Sequence, residues 1–291
     1  MFEPVKVSEN CFYLQSPSKI GVVKTAEDRA VLIDSGNDKD AGKRIKKFLD
    51  AEGLSLEAIY NTHSHADHIG GNQYLQKQTG CRVYAPGIER DFTAYPVLEP
   101  SFLYGAYPPK ELRHKFFLAQ ESDALPLTEN CLPDGMTSIP LPGHSWNMVG
   151  YRTADGVVFL ADCLSSRETL EKYQICFLMD VRAFLETLEM IGKLDARLFI
   201  PSHAEPTEDI VPLAQYNIQK VHEIADAIEK ICAEPASFET ILRRIFERYA
   251  LTMTFEQHAL VGSTVRSYLT WLENEGRLKP EIRDNTLLWS V

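Results

Sequence analysis

Residues 62–71 read Thr62-His63-Ser64-His65-Ala66-Asp67-His68-Ile69-Gly70-Gly71, which puts three histidines and a carboxylate within six positions. The apolar pair Ile59-Tyr60 precedes this stretch and a helix-like segment, 69–79, follows it. It therefore reads as a loop leaving the end of a strand, where a rigid scaffold can hold ligands. His63 and His65 are too close in sequence to share a helix face, but on an extended or tightly turned loop alternate side chains converge. Asp67 and His68 are adjacent and point elsewhere, towards a second ion. Imidazole with carboxylate suits zinc, iron or manganese.

The rest of the chain supplies strands to carry such a loop. Residues 10–14, 21–24 and 30–33 are β-branched or aromatic runs separated by turn-forming residues. Val31-Leu32-Ile33 ends in Asp34, which can cap a helix beginning near Asp38 or lie beneath the histidine loop and orient it. Residues 38–52 form an amphipathic helix with Gly53 to stop it, and 81–85 is a further strand, so the alternation is that of an α/β chain. Residues 86–126 break the rhythm. They hold six prolines and seven aromatic residues, and so long an excursion predicts a lid-like insertion or a subunit contact. Further on, residues 136–141 form a strand and 149–153 pairs with 156–161 as a hairpin. Three strand ends then lead into Pro142-Gly143-His144, Leu160-Ala161-Asp162 and Pro201-Ser202-His203. Taken singly, Asp162 reads equally as a helix cap and His203 as a loop histidine.

The HxHxDH string followed in order by PGH, LAD and PSH resembles the signature of the metallo-β-lactamase-fold superfamily of hydrolases. The resemblance covers roughly residues 5–205. It implies an αββα sandwich of two mixed sheets with helices outside. It also implies that His63, His65 and His144 bind one metal, Asp67, His68 and His203 a second, and that Asp162 bridges them. Two divalent ions, zinc first with iron or manganese as alternatives, would share a hydroxide that attacks an ester-like carbonyl. Asp67 would be the catalytic residue that orients this nucleophile. In this family an acid at the position of Asp34 orients the metal loop. A mononuclear iron centre, as in related persulfide dioxygenases, uses the same ligand types. The flavodiiron relatives usually carry an acid where this chain has His65, which disfavours that chemistry.

The expected division is a catalytic sandwich over 1–206 with the insertion at 86–126, a connecting helix over 207–234, and a C-terminal module over 235–291. That module reads as helices at 237–249, 254–261 and 263–275 followed by a hairpin of 277–279 with 286–291, which resembles a winged helix. Seven bases against eight acids from Glu234 onward, and a net charge of −11 overall, disfavour nucleic acid as a partner and favour a small-molecule substrate or a homodimer contact. Six irregularly spaced cysteines, an N-terminus without a basic stretch before an apolar core, and no run long enough to span a membrane predict a cytoplasmic protein without membrane attachment. The expected function is hydrolysis of a thioester or lactone. The alternatives are a ribonuclease or phosphodiesterase of the same superfamily and a regulatory protein that keeps the metal without turnover. His114, His222 and His258 lie outside the pattern.

Overall fold

The computed structural model describes residues 2–291. The first sheet follows chain order: β1 (Glu3–Lys6), β2 (Cys11–Gln15), β3 (Ile20–Ala26), β4 (Arg29–Ile33), β5 (Ser55–Tyr60), β6 (Arg82–Ala85) and β7 (Ala124–Pro126). Pairing is antiparallel through β4 and parallel from β4 to β7. The second sheet has β8 (Thr137–Pro140), β9 (Val149–Arg152), β10 (Val157–Ala161) and β11 (Leu198–Pro201), with only β10 and β11 parallel.

Period-two alternation explains why these strands lie between two layers. On β4, Val31 and Ile33 face the second sheet while Leu32 faces the outer helices; on β5, Ala58 and Tyr60 face inward and Ile59 outward. β10 does the same from the other side: Val157 and Phe159 meet the first sheet, Val158 and Leu160 the opposite helices. Both faces of each strand are covered, so each buried Val, Leu or Ile contributes about 1.5–3 kcal/mol. The result is the expected αββα sandwich. The first sheet's outer face is covered by α1 (Lys39–Ala51) and by α3 (Asn72–Thr79), which follows the single-turn α2 (Ala66–Ile69). Asp38 caps α1, accepting from the amides of Asp40 and Ala41.

Several expectations are corrected. The segment 69–79 is not one helix: α2 and α3 are separated by Gly70-Gly71, which pass against the backbone of the β4–α1 loop. A Cβ on Gly71 would lie 2.3 Å from the Ser35 carbonyl oxygen. The insertion holds two short helices, α4 (Glu89–Ala94) and α5 (Leu98–Tyr104), and ends by adding β7 to the sheet edge. Beyond α6 (Arg167–Tyr173) and α7 (Val181–Ile191), the long helix α8 spans Val211–Ile231, because Thr207 first pairs with Phe199 beside β11.

The C-terminal part contains α9 (Phe238–Arg248) and α10 (Phe255–Asn274), with β12 (Ala236–Ser237), β13 (Lys279–Arg283) and β14 (Thr286–Ser290) in a small sheet. The two helices expected at 254–261 and 263–275 are one. Gly262 does not break α10; it lies against Phe238 of α9, where a Cβ would sit in ordinary contact, 3.4 Å from the ring. These helices share one hydrophobic cluster with α7, α8 and the outer face of the second sheet. No helix among the described residues is long and apolar enough to cross a membrane, and all six cysteines are free.

Candidate metal centre

The polar residues that end β4, β5, β10 and β11 meet at one edge of the sandwich. Backbone bonds fix the β5 loop against the second sheet: Val149 N donates to the Thr62 carbonyl (3.0 Å), and the Tyr151 hydroxyl to the Asn61 carbonyl (2.8 Å). His144 sits in the β8–β9 loop. That turn needs Gly143, whose φ is +120° and whose Cβ would lie 2.3 Å from the Phe184 amide nitrogen.

Two groups of donor atoms result: His63, His65 and His144, and Asp67, His68, Asp162 and His203, the atoms of each lying within 4.8 Å of one another. All seven residues singled out in the sequence are thus brought together. In the first group, His65 Nδ1 lies 3.0 Å from both His63 Nε2 and His144 Nε2. In the second, Asp162 Oδ1 is 3.2 Å from His68 Nε2, and Asp162 Oδ2 is 3.1 Å from His203 Nε2. Asp162 also spans the groups: its Oδ2 is 3.5 Å from His144 Nε2 and 4.0 Å from His63 Nε2. His114, His222 and His258 belong to neither group.

Each histidine has an oxygen on its outer nitrogen, which turns the other nitrogen inward. Nδ1 of His63 meets Thr62 Oγ1 (3.0 Å), that of His68 meets Asp34 Oδ2 (2.7 Å), that of His144 meets the Phe177 carbonyl (3.1 Å) and that of His203 the Pro17 carbonyl (2.9 Å). His65 is reversed, with Nδ1 inward and Nε2 3.4 Å from Glu99 Oε1. Asp34 orients the loop and does not cap α1. It accepts from the Thr62 amide and hydroxyl, both at 2.8 Å, as well as from His68.

The electrostatics fit cations. Burial, reinforced by the neighbouring imidazoles, pushes His63 well below the usual histidine range and His144 down to about 3, so both offer neutral lone pairs. In the second group burial disfavours charge, but the surrounding carboxylates outweigh it. Asp162, Asp67 and Asp34 hold His68 well above the usual range, and Asp162 and Asp67 raise His203 to about 10. Without a metal, protons on these two imidazoles supply the positive charge that the carboxylates demand. Even so, His68 Nε2 and Asp162 Oδ1 are buried without a hydrogen-bond partner of suitable geometry, which is the mark of atoms arranged for an ion.

Sequence reasoning passed over two residues of the insertion. Glu89 is fully buried and accepts from the Ser64 amide (3.1 Å) and hydroxyl (2.6 Å), the Asn147 amide (3.0 Å) and the Ser145 hydroxyl. It therefore ties the loop of His63 and His65 to that of His144. Glu99 of α5 abuts His65. An acid in the first turn of a helix is too common to flag either from sequence. Cys163, next to Asp162, is buried, and burial pushes its thiol far above the usual range, so it is a packing residue.

Comparisons with known proteins agree with this geometry. The family model described as metallo-beta-lactamase superfamily matches residues 15–203. The chain is 25% identical over 221 residues to the probable metallo-hydrolase YflN of Bacillus subtilis, a match covering 68% of this chain and 81% of that protein. It is 33% identical over 126 residues to a hydroxyacylglutathione hydrolase of Bdellovibrio bacteriovorus, covering 43% of this chain and only 39% of that relative. The crystal structure of a beta-lactamase domain protein from Burkholderia ambifaria superposes with a TM-score of 0.76 at 17% identity, covering 99% of this chain and 93% of the other, so its fold extends through the C-terminal helices. The loop motifs, the sandwich and the matched span together place this chain in the metallo-β-lactamase superfamily.

Proposed function

We infer that this chain is a metal-dependent hydrolase of small ester-like substrates, thioesters first and lactones next. His63, His65 and His144 would hold one divalent cation, and Asp67, His68 and His203 a second, with Asp162 between them. Zinc suits the mixed imidazole and carboxylate donors. When bound, such ions ionise water near neutral pH and polarise a carbonyl.

The observation that carries this reading is Asp162, whose carboxylate lies within 3.1–4.0 Å of histidine nitrogens from both groups. The chain's own residues do the rest. Phe177 packs against the rings of His65 and His144, with centroids at 5.4 and 5.6 Å, and forms an apolar wall beside the first group. Asp67 is half-buried and its Oδ2 lies 3.3 Å from His203 Nε2; burial opposes its charge, but His68 and His203 hold its carboxyl well below the usual carboxylate range, so as a carboxylate it can orient a water at the open side. Support for a thioester comes from the relatives named as hydroxyacylglutathione hydrolases. The acidic chain supports a small substrate over nucleic acid.

Elemental analysis combined with a panel of thioester, lactone and phosphodiester substrates tests this. Two zinc per chain with thioester or lactone turnover is the expected result. Cleavage of phosphodiesters alone would overturn it, as would one iron with sulfur-dependent oxygen uptake.

A further inference from the structure

Burial does not hold all four donors of the second group. The side chains of His68 and Asp162 are 0% and 8% exposed, but those of His203 and Asp67 are 30% and 35% exposed. Packing alone fixes the first pair. The second pair needs another restraint, and the loop between β2 and β3, Ser16-Pro17-Ser18-Lys19, supplies it.

Four hydrogen bonds run from this loop to the exposed pair. The Pro17 carbonyl, which can only accept, lies 2.9 Å from His203 Nδ1 and so keeps the proton there and Nε2 turned inward. The Ser18 hydroxyl donates to the Asp67 carbonyl at 2.5 Å. The Lys19 amide donates to the Ser202 carbonyl at 3.2 Å, and Lys19 Nζ donates to the Ala204 carbonyl at 2.6 Å. Lys19 therefore grips the main chain on both sides of His203. The Ser202 amide in turn donates to the Ala161 carbonyl at 2.9 Å, beside Asp162. Within the loop, the Ser16 hydroxyl bonds the Ser18 carbonyl and closes the turn.

Alternation explains where Lys19 points. Ile20 and Val22 face the outer helices, and Gly21 lies against Phe159 between the sheets. Lys19 turns the same way as Gly21, at the edge where β11 ends. It is 5% exposed. Burial lowers its pKa, and Glu205 works in the opposite direction. Its Nζ has one hydrogen-bond partner among the described residues, the Ala204 carbonyl. A buried ammonium is a costly way to fill space, and methionine would occupy the same stem without the charge. Methionine could not hold the carbonyl that follows His203.

We propose that Lys19 is a positioning residue for the second metal site. Together with Ser18 it fixes the main chain on which His203 and Asp67 stand, so that the two donors left open to solvent keep their places. The consequence for cation affinity rests on the two-ion reading above; the fixing of His203 does not.

The test uses the full chain. Lys19→Met keeps the apolar stem and removes the donor, and Lys19→Arg keeps a charged donor. Zinc affinity measured by competition with a chromophoric chelator, with cobalt spectra to tell the groups apart, should show Lys19→Met weakening the second group about 10–100-fold and sparing the first. Lys19→Arg should recover most of that loss, and Ser18→Ala should show a smaller loss at the same group. In the metal-free chain, nuclear magnetic resonance should find the His203 Nδ1 proton exchanging with solvent about 10-fold faster in Lys19→Met, with the His68 Nδ1 proton, held by Asp34, unchanged. Unaltered His203 exchange in Lys19→Met would overturn the proposal. So would parental affinity at the second group, an equal loss at both groups, or an arginine variant no better than the methionine one. A parent chain that takes up no second cation would refute the two-ion reading, and the His203 exchange rate would then decide the role of Lys19 by itself.

Discussion

Asp34 Oδ2 accepts a 2.7 Å hydrogen bond from His68 Nδ1, and both side chains are buried. Asp34 adopts φ +62°, in the left-handed region, directly after β4. This single carboxylate fixes the ring of His68 and the start of the His63 loop at once. Asp34→Ala should lower metal affinity at the second group by roughly 10–100-fold, read as the metal retained per chain after dialysis against graded chelator. Retention equal to the parent would show that His68 needs no orienting partner.

On the other group, Glu99 Oε1 approaches His65 Nε2 at 3.4 Å. Glu99→Ala should weaken the first site by a similar factor of about 10–100 and spare the second. Cobalt substitution followed by visible absorption separates the two, because a site of three imidazoles and one of mixed donors have different spectra.

Glu89 holds two loops together. Glu89→Ala leaves the Ser64 and Asn147 amides without their acceptor and should cost about 2–4 kcal/mol of stability, seen as a lower urea midpoint. Glu89→Gln keeps part of the network and should fall between that variant and the parent.

In the metal-free protein, stability should peak near the ordinary histidine pKa and decline on both sides. His203 is raised from 6.5 to about 10, so the stability from its proton is complete below 6.5 and disappears as the pH climbs through 10. His144 is lowered from 6.5 to about 3, so the stability from its neutral form is complete above 6.5 and disappears on acidification towards 3. Chemical denaturation in chelator across pH 4–10 measures both limbs, and Asp162→Asn should flatten the alkaline one.

Gly71→Ala places a Cβ 2.3 Å from the Ser35 carbonyl oxygen, which belongs to the backbone and cannot rotate away. It should destabilise by about 1–3 kcal/mol and release metal from the second group first. Thermal melting with and without zinc would show the two effects together.

The seven donors were legible as a set, because the HxHxDH string after Ile59-Tyr60 and the polar residues that follow three apolar strands occur in the order the superfamily resemblance demands, although Asp162 and His203 taken singly were ambiguous. Val31, Leu32 and Ile33 likewise announced their strand, because a chain buried on both faces leaves no polar alternation. What failed had long-range causes. Glu89 gains its role only when folding brings Ser145 and Asn147 to Ser64. The break expected between 261 and 263 is absent because α10 packs as one helix against α9, where the Arg266 guanidinium also lies 3.7 Å from the Phe238 ring centroid. The start of α8 was placed early because nothing local reveals that Thr207 pairs with Phe199.

The strands that supply the donors belong to different sheets: β5 delivers His63 from one, while β10 and β11 deliver Asp162 and His203 from the other. A cation held by all of them would act as a rivet through the sandwich. It could seat only after the two halves had met, so it should leave the refolding rate of the chain almost untouched and slow its unfolding instead. For this molecule, metal would then be less a guide to folding than a lock applied once the work is done.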